Sequence, residues 1–266
     1  MDLQLQGKRA LVTGASRGIG LAIARQLARE GCRLALAARD QAALAAAAES
    51  IRAESGTDVV TVIVDTAFDD QVKAMVAKVV EGLGGVDILV NAAAKPGGQG
   101  APPKLADVTD DLFWSDVNVK VMGYLRCARE VAPLMKAEGW GRIINISGTA
   151  ARQAGNIIGS IRNVAVASLT KNLADELGPH GINVTVVHPG LTRTEKTAGV
   201  VAARAGREGV SEAAVETKMA ENVVVGRLIT AEEVADVVTF LASPRAVSIT
   251  GDAVVASGGV KRAIHY

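Results

Sequence analysis

The stretch "ALVTGASRGIGLAIARQLAREG", residues 10–31, decides the fold. Its short apolar run, Ala10 to Thr13, reads as a strand, and the segment after Gly20 reads as a helix. Gly14, Gly18 and Gly20 lie between them. Glycines in that place let the chain turn tightly, bring backbone N–H groups close to a pyrophosphate and pack the helix against the sheet, while the helix N-terminus favours an anion. A glycine-rich turn alone is also the mark of an ordinary loop. Its place directly after the first strand favours the phosphate reading.

Working outward, apolar runs rich in Val, Ile and Leu recur at Leu34 to Ala37, Val59 to Val64, Ile88 to Val90, Arg142 to Ile146 and Asn183 to Val187, with longer helical stretches between them. Continuous rather than alternating apolar character predicts strands buried on both faces, and the intervening helices predict right-handed crossovers. The expected architecture is α/β, a single-domain doubly wound parallel sheet with helices on both faces. The Ala-rich segment from Gln41 to Ala53 reads as a surface helix. Two breaks stand out: Lys95 to Pro103, expected as an irregular loop, and a polar excursion opening at Thr194, expected as a lid over about 194–225.

The composition narrows the partners. The 266 residues suffice for one large core. The formal net charge of +1, from 29 basic and 28 acidic residues, argues against nucleic acid or a membrane surface and leaves a small molecule as the expected partner. Cys32 and Cys127 read as reduced packing thiols. No metal cluster is expected. No secretory segment or long uncharged apolar stretch is read in the chain, so a cytoplasmic location is expected.

With these residues in view, the chain resembles the short-chain dehydrogenase/reductase family, whose glycine signature TGxxxGIG is matched by Thr13, Gly14, Gly18, Ile19 and Gly20. The resemblance implies a Rossmann fold and a nicotinamide dinucleotide held by Gly14, Ser16, Arg17, Ile19 and Gly20. It places Asp65 at the adenine, keeps Asn91 of the family's Asn-Asn-Ala-Gly motif, and sets Pro189, Gly190, Thr192 and Thr194 along the nicotinamide end. "GRLITAEEVADVVTFLAS" and "SITGDAVVASGG" match the family's last helix and strand, with Ser257 replacing the usual Asp. An acid ending the second strand would bind a ribose 2'-OH and repel a 2'-phosphate. That position is Ala38, beside Arg39, with Arg17 in the glycine turn, and two forked cations favour NADP(H). The other reading of both arginines is solvated surface charge.

The catalytic half departs from the family. Its proton relay implies a Ser ending the fifth strand, then a Tyr and a Lys four residues apart on the next helix. Anchored on "SLTKNLADELGPHGINV", Gly159 falls at the Tyr position and Asn163 at the Lys position, and no Tyr occurs between Tyr124 and Tyr266. Gly148 falls at the Ser position, with Ser147 one residue early, as a candidate catalytic serine or a turn serine. On the preceding helix Asn118 and Lys120 compete for the family's Asn position. They differ by about 200° of rotation, so only one faces the site, and Gly123 and Pro133 fit the family's spacing with Lys120 there. Lys and Asn are then exchanged between neighbouring helices.

The expectation is an NADPH-dependent oxidoreductase reducing a small carbonyl or imine compound, with Lys120 donating the proton or holding the donor water and Asn163 orienting it or binding the ribose. Burial beside a cofactor lowers a lysine pKa from about 10.4 toward the range general acids need. Otherwise Lys120 is a helix lysine reaching solvent. His188 and Tyr124 are weaker candidates, read first as packed core, Tyr266 reaches a site only in an oligomer, His180 is a turn residue, and Arg162 is read most simply as a helix surface charge, to which an acidic substrate would give a purpose. The competing function is a nucleotide-binding sensor or structural partner that has lost its chemistry. The resemblance implies a homo-oligomer, paired through helices near 107–137 and 159–178.

Overall fold

The computed structural model describes residues 1–95 and 102–262. Most of the loop expected over 95–103, and Tyr266, lie outside the described residues. The chain runs β1 (Arg9–Thr13), α1 (Gly18–Arg29), β2 (Arg33–Ala38), α2 (Gln41–Ser55), β3 (Val59–Ile63), α3 (Asp69–Leu83) and β4 (Ile88–Asn91). It continues through α4 (Asp110–Val117), a π-helical turn (Asn118–Met122), α5 (Gly123–Glu138), β5 (Gly141–Ile146), α6 (Ile157–Leu177), β6 (Ile182–Pro189) and the short β7 (Thr192–Arg193). The last part holds α7 (Thr197–Glu208), α8 (Glu212–Ala220), the short β8 (Ile229–Thr230), α9 (Ala231–Ala242) and β9 (Ala253–Ala256).

Seven strands pair in the order β3-β2-β1-β4-β5-β6-β9, all parallel. This is a Rossmann fold. Each strand expected from an apolar run is present, and β1 shows why the runs are continuous: Ala10 and Val12 pack in the core layer with α1, α2 and α9, whereas Leu11 between them packs in the layer with α3, α5 and α6. Both faces of the strand are dry, so neither set of alternate side chains can be polar.

The strand order reverses between β1 and β4, and the carboxyl ends of the strands open there into a cleft, the place where ligands bind in open α/β sheets. The region expected as a lid folds as α7 and α8, with a small core of its own from Val201, Ala205 and Val215. It stands over the same edge because Thr192 and Thr194, just before α7, border the cleft.

The turn after β1 is sterically closed. A Cβ at Gly20 would lie 2.4 Å from the carbonyl oxygen of Gly14, a backbone atom that cannot rotate away. Gly20→Ala is therefore expected to cost about 2 kcal/mol of stability as overpacking and lower Tm by roughly 4–8 °C in a thermal melt.

Candidate active site

At one end of the cleft, of about 900 Å³, the glycine turn exposes its backbone. Gly14 has φ +68°, in the left-handed region, and a Cβ there would meet Ala92 O at 2.7 Å, so the chain leaving β4 lies hard against the turn. Thr13 Oγ1 ties the two together by accepting from Ala92 N and Ala93 N at 3.2 and 3.3 Å. The Gly18 N–H at the start of α1 donates to both carboxylate oxygens of Glu195, at 3.1 and 3.2 Å. A carboxylate has thus settled where the free N–H groups and the helix dipole favour an anion. These features fit a pyrophosphate.

The charges around the ribose end are set by β2. It ends at Ala38, which has no polar atom to offer, and Arg39 follows with its side chain about half exposed and its guanidinium 3.9 Å from Asp65. Arg17 is exposed, and both arginines border the cleft. The next acid, Asp40, also borders the cleft, but its Oδ1 accepts from Ala43 N at 3.0 Å and caps α2. Asp65 Oδ1 accepts from Ala67 N at 3.0 Å.

At the other end stands Lys120, 3% exposed. The π-helical turn between α4 and α5 carries it; such widened turns occur often at functional sites. The turn separates the two competing side chains. Asn118 points to the far side, donating to Ala67 O at 3.2 Å and accepting from Arg126 Nη1 at 2.9 Å, while Lys120 enters the cleft. Its Nζ donates to Asn163 Oδ1 at 2.8 Å and to Ser147 O at 3.0 Å. The ammonium and amide placed opposite one another by the sequence register are in direct contact. Burial brings the Lys120 pKa down to about 7, the neighbouring Arg162 cation pushes it further the same way, and Asp116 opposes.

The surrounding groups define what is left for chemistry. Tyr124 is buried, its hydroxyl donates to Ile146 O at 2.9 Å, and burial pushes its pKa up, so it is no acid near neutrality. Ser147 borders the cleft, but its hydroxyl donates to Asn163 O at 3.1 Å, fastening β5 to α6 as a turn serine would. A Cβ at Gly148 would lie 3.2 Å from Asn163 Nδ2, so that position faces the amide with no hydroxyl of its own. Gly159 and Asn163 share one face of α6.

Several expectations are corrected. Asn91 does not reach the cleft: fully buried, it donates to Asn145 Oδ1 at 3.0 Å, and Asn145 Nδ2 donates to Thr170 Oγ1 at 2.9 Å, a polar thread joining β4, β5 and α6 beneath the site. Arg162 is no surface charge: its side chain is 10% exposed, it pairs with Asp116 of α4, and it borders the cleft. His188, by contrast, is packed core as first read, buried within β6, and does not border the cleft. The remaining expected contacts, Gly14, Ser16, Arg17, Ile19, Gly20, Arg39, Asp65, Pro189, Gly190, Thr192 and Thr194, all border it.

Two residues escaped the sequence. Asn156 borders the cleft and caps α6, its Oδ1 accepting from Gly159 N at 2.8 Å; an Asn three residues before a helical glycine was the available signal. Glu195 gave none, because its partner Gly18 lies 177 residues away along the chain.

A family model described as enoyl-(acyl carrier protein) reductase matches residues 14–261. The chain is 37% identical over 251 residues to the short-chain reductase protein NovJ of Streptomyces niveus, covering 94% of this chain and 92% of that one. It is 35% identical to the 3-oxoacyl-acyl-carrier-protein reductase of Pseudomonas aeruginosa, covering 97% and 99%. Among solved structures, L-sorbose reductase from Gluconobacter frateurii, complexed with NADPH and L-sorbose, superimposes with a TM-score of 0.92 at 32% identity, covering 99% of this chain and 100% of that one. The chain belongs to the short-chain dehydrogenase/reductase family, and it is an oxidoreductase of the ketoacyl reductase-like kind.

No helix among the described residues is long and apolar enough to cross a membrane. Also among them, no group of three His, Cys, Asp or Glu side chains is placed to hold a metal ion.

A lysine whose folded pKa is lowered destabilises the fold most where the unfolded chain is protonated. For Lys120 the penalty is complete below pH 7 and fades as pH rises toward the unfolded value near ~10.4. Lys120→Met is thus expected to stabilise the protein most below pH 7 and progressively less toward pH 10, read from denaturant midpoints across that range.

Proposed function

We propose that this protein is an NADPH-dependent reductase of a small carbonyl or imine compound in which Lys120 supplies the proton. The observation that carries the reading is the Lys120 Nζ held 2.8 Å from Asn163 inside the cleft, a buried amine with its pKa brought to about 7. The two arginines at the ribose end and the capped Asp40 support NADPH over NADH. So does the NADPH complex of the L-sorbose reductase.

When bound, the nicotinamide supplies the hydride. The glycine turn would hold the pyrophosphate, Arg17 and Arg39 the 2'-phosphate, and Asp65 the adenine, with Pro189, Gly190, Thr192 and Thr194 toward the nicotinamide end. Lys120, as the ammonium, would give its proton to the substrate oxygen, and the neutral amine would regain a proton from water. Asn163 Oδ1 and Ser147 O hold two of its three N–H directions, which leaves the third for the substrate. An imine that arrives already protonated draws less on this step. The segment α7–α8 acts as the lid of a single-domain enzyme. A cytoplasmic homo-oligomer completes the reading, with Trp114, Ile161 and Val164 exposed on α4 and α6, the helices expected to pair.

Single-turnover oxidation of NADPH with a panel of ketones, 3-ketoacyl esters and imines tests this. Proton transfer by a positioned group contributes about 10²- to 10⁴-fold, so Lys120→Met is expected to slow ketone reduction by at least that lower figure while NADPH affinity holds. The wild-type rate should fall as pH rises through about 7, because the ammonium is the donor. Equal rates in the two proteins would remove Lys120 from the chemistry. NADPH binding without turnover of any compound would favour the second reading, a nucleotide-binding sensor, which the missing phenol at Gly159 supports.

The cofactor assignment has a separate check. Arg39→Asp places a carboxylate at the ribose end, repelling a 2'-phosphate, and is expected to shift the ratio of NADPH to NADH affinity at least tenfold toward NADH in fluorescence titrations.

A further inference from the structure

Arg162 lies at the catalytic end of the cleft and has no task in the chemistry above. It sits on α6 next to Asn163, with its side chain nine-tenths buried. A guanidinium offers five N–H donors. Among the described residues Arg162 uses one nitrogen: Nη1 donates to Asp116 Oδ1. Its Nε is closed off from solvent and has no acceptor. A buried cation so poorly satisfied needs a reason.

The local charge count supplies one. Asp116 pairs with Arg162 and acts on Lys120 from a distance, so with Lys120 protonated these three side chains hold two positive charges against one negative. One further monoanion balances them. A second carboxylate meeting the guanidinium where Arg162 borders the cleft would be held by the charge-assisted hydrogen bonds that arginine favours, in the same cleft as the amine that meets the carbonyl.

We infer that Arg162 is a substrate-recognition residue and that the compound reduced in this cleft carries a carboxylate close to its carbonyl. The inference rests on the reductase reading for its carbonyl and on the geometry of α4 and α6 for its carboxylate. The alternative role, an ion pair that only ties the two helices together, needs no anion in the cleft.

The test uses binding rather than turnover. Protein loaded with NADP+ is titrated calorimetrically with acetoacetate and with methyl acetoacetate, a pair that differs in the carboxylate charge. The wild-type protein is expected to bind the acid at least tenfold more tightly than the ester. The double variant R162Q/D116N keeps an amide pair of similar shape and should bind the two within twofold. The single variant D116N, which releases Arg162 from its partner, should increase the preference for the acid at least threefold and serves if the double variant fails to fold. Equal binding of acid and ester by the wild-type protein, a preference that survives in R162Q/D116N, or one that does not rise in D116N overturns the inference. If acid binds selectively but NADPH is never oxidised in its presence, the reductase reading fails and the carboxylate site stands.

Discussion

The contact between the Lys120 ammonium, the Asn163 amide and the Ser147 carbonyl organises the catalytic end of this protein. It is costly to make. An ammonium drawn out of water loses far more than two hydrogen bonds return, and among the described residues no carboxylate touches it. The chain has kept three elements in register around it all the same: the π-helical turn, the end of β5 and the first turns of α6. A buried amine without a direct counter-ion has two physical consequences, a lowered pKa and a tight dependence on the few dipoles that face it. Both are properties that a proton donor uses.

The rest of the site reads as the scaffold this contact requires. The Ser147 hydroxyl bonds to the backbone of Asn163, so the carbonyl that receives the ammonium and the helix that bears the amide move as one. Below them the thread from Asn91 through Asn145 to Thr170 crosses from β4 to α6 and fixes the depth at which α6 sits on the sheet. In the widened turn, Asn118 is anchored outward to Ala67 and Arg126, which leaves Lys120 to point inward. Each of these bonds is buried or nearly so, where an electrostatic contact is stronger and a lost partner more damaging than in water.

The fold was legible in the sequence because a parallel sheet buried on both faces writes itself as uninterrupted apolar runs, and because few local structures other than a phosphate turn need Gly14, Gly18 and Gly20 at that spacing. The approach of Lys120 to Asn163 was legible too, since spacing along neighbouring helices is one-dimensional information. Asn91 and Arg162 were misjudged for a common reason. Each belongs by position to a surface or a site, but its environment is made by a residue far along the chain, Asn145 for one and Asp116 for the other. Ser147 lay between the two cases: its neighbours were readable, while the direction of its hydroxyl depends on how α6 docks.

In the proposed reaction, Lys120 in place of a phenol changes the character of the acid as well as its identity. A tyrosine beside a lysine begins neutral and becomes an anion on giving up its proton, stabilised by the nearby cation. Lys120 begins as a cation and becomes neutral, so in the proposed reaction proton transfer relieves its burial instead of creating a buried charge. Desolvation therefore works in the direction of the chemistry. The same feature limits the reach of the site, because the donor is present only while the ammonium persists, and Arg162 beside it pushes the equilibrium toward the free amine. A negative charge delivered by the substrate would push it back, and the catalytic acid would then be charged most fully when there is something to reduce.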